Sequence, residues 1–170
     1  MGVRMSDAVD AIVDQWRRER PDVADELWAM SIVGRVQRLN RVLERELAAF
    51  FTQRGLQHWE TDMLFTLRRA GTPLSAGALL RSAMVTSGAI TNRVDRLEAR
   101  GLVVRIRDTE DRRSVLIRLT QRGRDLVDGV LAEHLANERR ILAGLTTEER
   151  ESLSALLRTT LEHLGDTSLG

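Results

Sequence analysis

The 170-residue chain contains no cysteine and no lysine, and it has only two prolines. Without cysteine there is no disulfide framework, no zinc ribbon and no thiol-based redox sensor. No apolar stretch is long enough to cross a bilayer, and the first residues lack the apolar core of a signal peptide. We therefore expect a cytoplasmic protein with no membrane partner, and its 42% hydrophobic residues suffice for a packed core.

Sequence patterns for catalysis and for metal binding are also missing. His58, His134 and His163 lie far apart, and there is no phosphate-binding loop, Ser/His/Asp arrangement or HExxH motif. A metal sensor built on His58, Glu60 and Asp62 is a poor alternative, because residues two apart on a helix do not share a face. We expect no enzyme, hence no catalytic residue, and neither a metal ion nor a cofactor.

The net charge of +1 hides a strongly uneven distribution. From Arg68 to Arg124 there are thirteen arginines and five acidic residues, a net charge of +8, so the rest of the chain carries −7. A basic centre between acidic ends is typical of a segment that faces phosphates. All 26 basic residues are arginine, which we attribute to genomic base composition.

Helical periodicity occupies both ends of the chain. Apolar residues at helical spacing predict three helices before the helix-and-strand pattern of the centre, over residues 7–19, about 25–52 and about 57–70. Afterwards Thr120 is the cap of a helix that reaches about Leu145, and Thr146 with Glu149 forms a capping box for a last helix over about 147–164. The first long helix and the last two flank the centre, which favours them as a dimer interface.

The centre has the pattern of two short helices joined by a turn. Ser75 is placed to cap a helix over 76–81, and a second helix runs from about Thr86 to Arg100 and stops at Gly101. Such a pair is the minimal helix-turn-helix pattern, in which the second helix reads DNA. The pattern alone is weak evidence, because many helical bundles contain it.

Two β-rich runs, 102–107 and 114–119, follow that second helix and enclose a charged tip. A hairpin in this position is a wing. The predicted fold class is therefore mainly α with a small β-hairpin wing: a winged helix-turn-helix lobe over 56–120, with N-terminal helices in 1–55 and C-terminal dimerisation helices in 121–170.

The second helix of the pair divides into two faces when residues are advanced by 100° each. Ile90, Val94 and Leu97 form the stripe predicted to be buried. The opposite face carries small and hydrogen-bonding side chains that suit the major groove, and we take these as candidate DNA contacts: Thr86, Ser87, Gly88, Asn92 and Arg96. Arg93 lies beside the buried stripe, where a charge needs a partner. An ordinary solvated face is the alternative.

The charged tip supplies a second candidate contact with DNA. Arg112 and Arg113 can reach phosphates or enter a narrow minor groove, where the negative potential is strongest. Asp111 is placed to orient Arg113 by a bidentate contact. The alternative is an ordinary polar turn.

Three motifs in and after this region make it resemble the MarR family of bacterial regulators. They are Arg-Leu-Glu-x-x-Gly-Leu-Val at 96–103, Asp-x-x-Asp-Arg-Arg at 108–113 and Leu-Thr-x-x-Gly at 119–123. The resemblance covers about 25–165 and implies a homodimer joined by its terminal helices. It also implies recognition helices in the major groove of double-stranded DNA and wings in the minor groove, with Arg113 inserted and Asp111 supporting it.

A narrower resemblance is to the urate-responsive subgroup of that family. The subgroup has an additional N-terminal helix with a Trp, an Asp before the helix-turn-helix, and an Arg two residues after a Ser or Thr in the recognition helix. Trp16, Asp62, Thr91 and Arg93 match those places and are the predicted ligand-binding residues. The implied effector is a small planar or anionic metabolite such as urate or a related purine or aromatic acid. A structural Trp and a purely structural Asp62–Arg93 bridge are the alternative.

The sequence thus predicts a regulator, most simply a repressor, that leaves a pseudo-palindromic operator when the effector competes for Arg93 and repels Asp62. Two other functions stay open. One is an architectural DNA-binding protein without a ligand, and the other is a MarR-type regulator that answers to a different effector.

Overall fold

The computed structural model describes residues 6–82, 90–108 and 114–168 of the chain. These residues are mostly helical and include one small antiparallel sheet, so the predicted fold class is confirmed. By their contacts, residues 1–49 and 50–170 form two compact units. The predicted three-part division of the chain, and the dimerisation role of its outer parts, stay predictions.

The first unit is built on two helices and the turn between them. Helix α1 covers Ala8–Glu19, and Asp7 caps it, since its side chain accepts from the backbone N–H groups of Val9 and Asp10. A 3₁₀ turn over Pro21–Glu26 leads into the long helix α2, Leu27–Thr52. A small apolar cluster holds the unit together: Val9, Val13 and Leu27, with Val23 beside them.

In the second unit, helix α3 precedes the two helices of the helix-turn-helix, α4 and α5. Helix α3, His58–Ala70, ends at Gly71, whose φ of 72° is the left-handed conformation that glycine adopts without strain. Helix α4 covers Ala76–Ser82, and Ser75 Oγ accepts from the N–H of Ala78 at 3.1 Å, as the predicted cap requires. Helix α5 is described over Ile90–Ala99, and the connection at 83–89 lies outside the described residues.

Three strands form the wing sheet in the order β1–β3–β2. The two predicted strands are β2, Val103–Arg107, and β3, Val115–Leu119, paired antiparallel. Strand β1, Leu74–Ser75, also pairs with β3 and was not predicted, because two residues after a proline show no alternation. The tip at 109–113 lies outside the described residues.

The Leu-Thr-x-x-Gly motif fixes the exit from the sheet. Thr120 Oγ1 donates to the carbonyl of Gly101 at 2.7 Å and accepts from the N–H of Gly123 at 3.0 Å. A Cβ on Gly123 would lie 2.1 Å from the carbonyl oxygen of Leu102, so only glycine fits there. The motif therefore joins the start of helix α6, Gln121–Ile141, to the end of the recognition helix.

Helix α6 ends at Ile141 and not at Leu145, because residues 142–144 form a turn that contains Gly144. Helix α7 covers Thr147–His163 and begins with the predicted capping box of Thr146 and Glu149. One core lies under α3, α4, α5, α6 and the sheet. Its most deeply buried side chains are Met63, Leu64, Leu79, Val94, Leu97, Leu102 and Val103.

Candidate nucleic-acid interface and the contacts behind it

The two faces of α5 lie as the helical period predicts. Val94 and Leu97 are 1% and 0% exposed, whereas Asn92 and Arg96 are exposed on the other side. A short, exposed helix face with an amide and a guanidinium matches the donor and acceptor pattern of base edges and phosphates. The other candidate contacts, Thr86, Ser87, Gly88, Asp111, Arg112 and Arg113, lie outside the described residues.

The arginines of the basic centre fall into two groups. Some are tied into ion pairs, such as Arg68 with Asp128 at 2.8 Å. Others are exposed and take part in no ion pair among the described residues: Arg81, Arg96, Arg107 and Arg118. These side chains keep their charge available for a polyanion, since phosphate binding requires arginines that are not already neutralised.

Arg105 joins the wing to the recognition helix. From strand β2 its guanidinium donates to Glu98 Oε2 at 2.5 Å and to Asp95 Oδ1 at 2.6 Å, while its backbone N–H donates to Glu98 Oε1 at 3.0 Å. Partial burial by itself lowers the pKa of Arg105, but the hydrogen bonds to the two carboxylates outweigh it and raise the pKa. The Asp95 carboxylate is thereby engaged within the protein.

Arg93 points to helix α3, as its position beside the buried stripe predicts. Its Cζ lies 5.5 Å from the ring centroid of Trp59, and its Nη1 is buried with no hydrogen-bond partner among the described residues. Asp62 follows Trp59 by one turn of α3, and its Oδ2 is shielded from solvent. Among the described residues the ion pairs within 4.0 Å do not include Arg93 with Asp62. Trp59 was missed, because nothing in the sequence links it to Arg93.

A second arginine ties α3 to the end of α5. Glu60 is 4% exposed, and Arg100 Nη1 donates to both of its carboxylate oxygens at 2.7 Å. Glu60 Oε2 also accepts from the N–H of Gln57, which completes a capping box at the start of α3. Arg93 and Arg100 are two turns apart, so α5 contacts the first turn of α3 at two points.

Within the described ranges no three His, Cys, Asp or Glu side chains are grouped so that they could hold a metal ion. Glu60 serves Arg100 and Gln57 instead.

The remaining predicted ligand-binding residues are Thr91 and Trp16. Thr91 is exposed on α5, away from the side that carries Arg93. Trp16 belongs to the first unit, where it lies on α1 and is 45% exposed. Asp62, Thr91 and Arg93 belong to the second unit.

Arg35 holds α1 to α2 within the first unit. Its Nε donates to Asp7 at 2.9 Å, and its Nη2 donates to Asp10 at 2.6 Å. The pKa values of both carboxyls are lowered, first by the backbone N–H groups that each accepts from at the helix start and then by Arg35. These two contacts of Arg35 hold α1, the helix that carries Trp16, against α2.

Large apolar side chains remain exposed on the outer helices. Helix α7 has no buried residue at all, although an apolar row runs along it through Leu153, Leu157, Leu161 and Leu164. Leu131 and Leu135 of α6 are also exposed. None of the helices in the described part of the chain is long and apolar enough to span a membrane. Exposed apolar rows of this kind are typical of interaction surfaces.

Comparison with known proteins gives one consistent family. Residues 54–114 match the profile of the MarR family. The chain is 40% identical over 158 residues to the HTH-type transcriptional regulator PecS of Dickeya dadantii, covering 92% of this chain and 94% of PecS.

Two solved structures have the same fold. The first is a cysteine-to-serine mutant of MarR from E. coli complexed with operator DNA, with a TM-score of 0.67 and 22% identity over 92% of this chain and 99% of that one. The second is BpsR of Bordetella bronchiseptica, whose DNA binding is regulated by 6-hydroxynicotinic acid, with a TM-score of 0.63 and 29% identity. That similarity covers 75% of this chain and 97% of BpsR.

Proposed function

Because the chain belongs to the MarR family of transcriptional regulators, we propose that it is a homodimeric repressor controlled by a small molecule. It binds a pseudo-palindromic operator through α5 and the wing, and it releases that DNA when a planar, urate-like anion binds beside Arg93. The family and the relatives above are transcriptional regulators, not enzymes.

The observation that carries the proposal is the division of α5. Asn92 and Arg96 are exposed on one side, whereas Arg93 is turned toward α3 with a buried, unsatisfied Nη1. One short helix thus offers one face to DNA and another to a ligand. Any displacement of Arg93 also displaces Asn92 and Arg96, since all three belong to the same ten-residue helix.

Ligand and DNA then favour different positions of α5. An anion beside Arg93 gains an ion pair and brings negative charge near the Asp62 carboxylate, which repels it. The position of α5 that accommodates both the anion and the Asp62 carboxylate therefore differs from the position in which α5 fits the major groove of DNA. A ligand shifts such an equilibrium only by its difference in affinity for the two states, and this charge pattern supplies that difference.

The chemistry of the effector follows from the same residues. A guanidinium with a buried donor favours a carboxylate or an enolate-like oxygen, and a neighbouring indole favours a flat ring. The aromatic acid that regulates BpsR combines these two features. Trp16 and Thr91 are predicted ligand-binding residues on the resemblance to the urate-responsive subgroup alone. The proposal rests on Arg93 and Asp62 of the second unit, because Thr91 faces away from Arg93.

A second copy of this chain is the proposed occupant of the exposed outer helices. An amphipathic helix of 17 residues with no buried side chain gains little tertiary stabilisation from the described part of its own chain. A dimer accounts for three features together: the apolar row of α7, the exposed leucines of α6 and the expected pseudo-palindromic operator.

The test is a DNA-binding titration on the duplex upstream of the gene that encodes the protein, with and without urate and 6-hydroxynicotinate. We expect a short half-site repeat to be bound at a spacing of about one helical turn. Either anion should then release it. The Arg93→Gln variant should keep the dimer and its apo DNA affinity within about threefold, while the effector concentration for release rises more than about tenfold.

Binding without sequence preference would instead identify an architectural protein. Release by another compound, with urate and 6-hydroxynicotinate inactive, would identify a regulator with a different effector. Normal release of DNA from both Arg93→Gln and Asp62→Asn would place the effector site elsewhere.

A further inference from the structure

We propose that Trp59 is a specificity-determining residue of the effector site, whose indole face receives the flat ring of the ligand while Arg93 receives its negative charge. The inference rests on the proposed function, because it concerns the same site. It assigns the aromatic contact to a residue of the second unit that the sequence resemblance does not include.

The ring of Trp59 is held in place by its edge. Its Nε1 donates to Gln57 Oε1 at 2.6 Å, and the side chain is only partly buried. The indole N–H is therefore satisfied within the protein, and the ring face is left for other contacts. A stacking surface needs this combination of fixed orientation and remaining exposure.

The contact between Arg93 and Trp59 is loose by comparison with another in the same unit. Arg54 lies over Phe50 with its Cζ 3.6 Å from the ring centroid, a direct stacking distance. The corresponding distance from Arg93 to Trp59 is 5.5 Å, near the outer limit of a cation–π interaction. The guanidinium is attracted to the ring, but it does not cover it.

The buried side of the Arg93 guanidinium lacks a hydrogen-bond acceptor among the described residues. Its Nη1 is buried with no hydrogen-bond partner among the described residues, and an unsatisfied buried donor on a charged group is costly. An anionic oxygen supplies the missing acceptor. A planar anion supplies both an acceptor for Arg93 and a flat ring for Trp59. A non-planar anion of equal charge supplies only the acceptor.

The experiment isolates the emission of Trp59. The tryptophans of the chain are Trp16, Trp28 and Trp59, so the Trp16→Phe/Trp28→Phe variant emits from Trp59 alone. Titration with 6-hydroxynicotinate, with correction for its absorption, should quench this emission in a saturable way, and cyclohexanecarboxylate should not. The Trp16→Phe/Trp59→Phe variant, which emits from Trp28, is the matched control and should show no saturable change.

The functional part of the test compares three variants with the wild type. The quantity measured is the 6-hydroxynicotinate concentration that releases half of the bound DNA. Trp59→Leu should raise this concentration about tenfold, the scale of a lost aromatic stacking contact. Trp59→Phe retains a ring face and should raise it less than about threefold. Trp28→Leu is the control for the same substitution on an exposed tryptophan and should leave it unchanged.

The outcomes separate this inference from the proposed function. Unquenched Trp59 emission at anion concentrations that release DNA, or an unchanged half-release concentration for Trp59→Leu, overturns the role of Trp59 and leaves the repressor intact. Saturable quenching without release of DNA supports the role of Trp59 and overturns the proposed regulation. If Trp59→Leu does not fold, the half-release concentration of Trp59→Phe and the emission titration decide whether Trp59 contacts the ligand.

Discussion

At the residue scale, identical side chains have been given different tasks by their positions. Arg93 and Arg96 lie on α5, and Arg100 directly follows its last residue. Arg96 is exposed without an ion pair among the described residues, Arg100 is bound to the buried Glu60, and Arg93 lies over an indole. Composition cannot distinguish these roles, and the 100° step of a helix places the three arginines within about 60° of one another. The neighbouring elements therefore decide what each of them contacts.

Arg96 provides the prediction that belongs to this scale. We expect Arg96→Ala to weaken operator binding about tenfold, because it removes either a base contact or a phosphate contact from each half-site. If the contact is to phosphate, the slope of log affinity against log salt should also fall by about two for the dimer. Fluorescence anisotropy at several salt concentrations measures both quantities.

Arg139→Ala is the matched control for this measurement, since Arg139 is exposed on α6 and takes part in no ion pair among the described residues. Its DNA affinity should equal that of the wild type. Equal affinities for both variants would remove the outer face of α5 from the DNA interface.

At the scale of elements, α5 is held on two sides by polar contacts. Arg93 and Arg100 connect it to α3, and Arg105 connects it to the wing strand β2. The recognition helix and the wing must reach adjacent grooves together, so a rigid link between them affects DNA binding directly. We therefore predict that Arg105 positions the helix and the wing and does not itself contact DNA.

We expect Arg105→Met to lower the stability of the protein by only about 1 kcal/mol or less, because the side chain is 31% exposed and its ion pairs are screened. Operator affinity should fall more, about tenfold, since the helix and wing lose their fixed relation. A double-mutant cycle with Glu98→Gln, by urea denaturation and by DNA titration, should show non-additive losses. Additive losses in both measurements would contradict the coupling, and Arg18→Met, an exposed arginine of α1 outside the basic centre, controls for the change in charge.

Elements were largely predictable, and their ends less so. Ser75, Thr120 and Thr146 cap the helices that they were predicted to cap, because capping depends on a few adjacent residues. The end of α6 was predicted four residues too late, since apolar residues continue through the turn at 142–144. Strand β1 was missed because its only support is β3, more than forty residues later in the chain.

At the scale of the whole molecule, the proposed dimer depends on the outer helices. Leu157 and Leu161 are 41% and 46% exposed on α7, one turn apart on the same side. We expect Leu157→Glu/Leu161→Glu to convert the dimer to monomer at micromolar concentration, because four like charges would meet in an apolar interface. Sedimentation velocity measures the change in oligomeric state. Operator affinity should also fall, because separate monomers no longer bind the two half-sites as one linked unit.

Thr159→Glu serves as the control, because residue 159 lies about 200° from both leucines on the helix. This variant should remain dimeric. A dimer that persists in the double glutamate variant would exclude α7 from the interface and point to α2, whose apolar side chains are also exposed.

The sequence by itself determined the local features: helix periods, caps, the glycine stops, the basic centre and the motifs that carry the family resemblance. Each depends on residues within one or two turns of each other. It also placed Arg93 on the inner side of the recognition helix, since the helical step alone decides that. Only the tertiary structure decided what Arg93 meets. Trp59, the Arg100–Glu60 pair and the Arg105 link bring together residues from separate elements, and such contacts depend on how those elements pack, which periodicity does not encode.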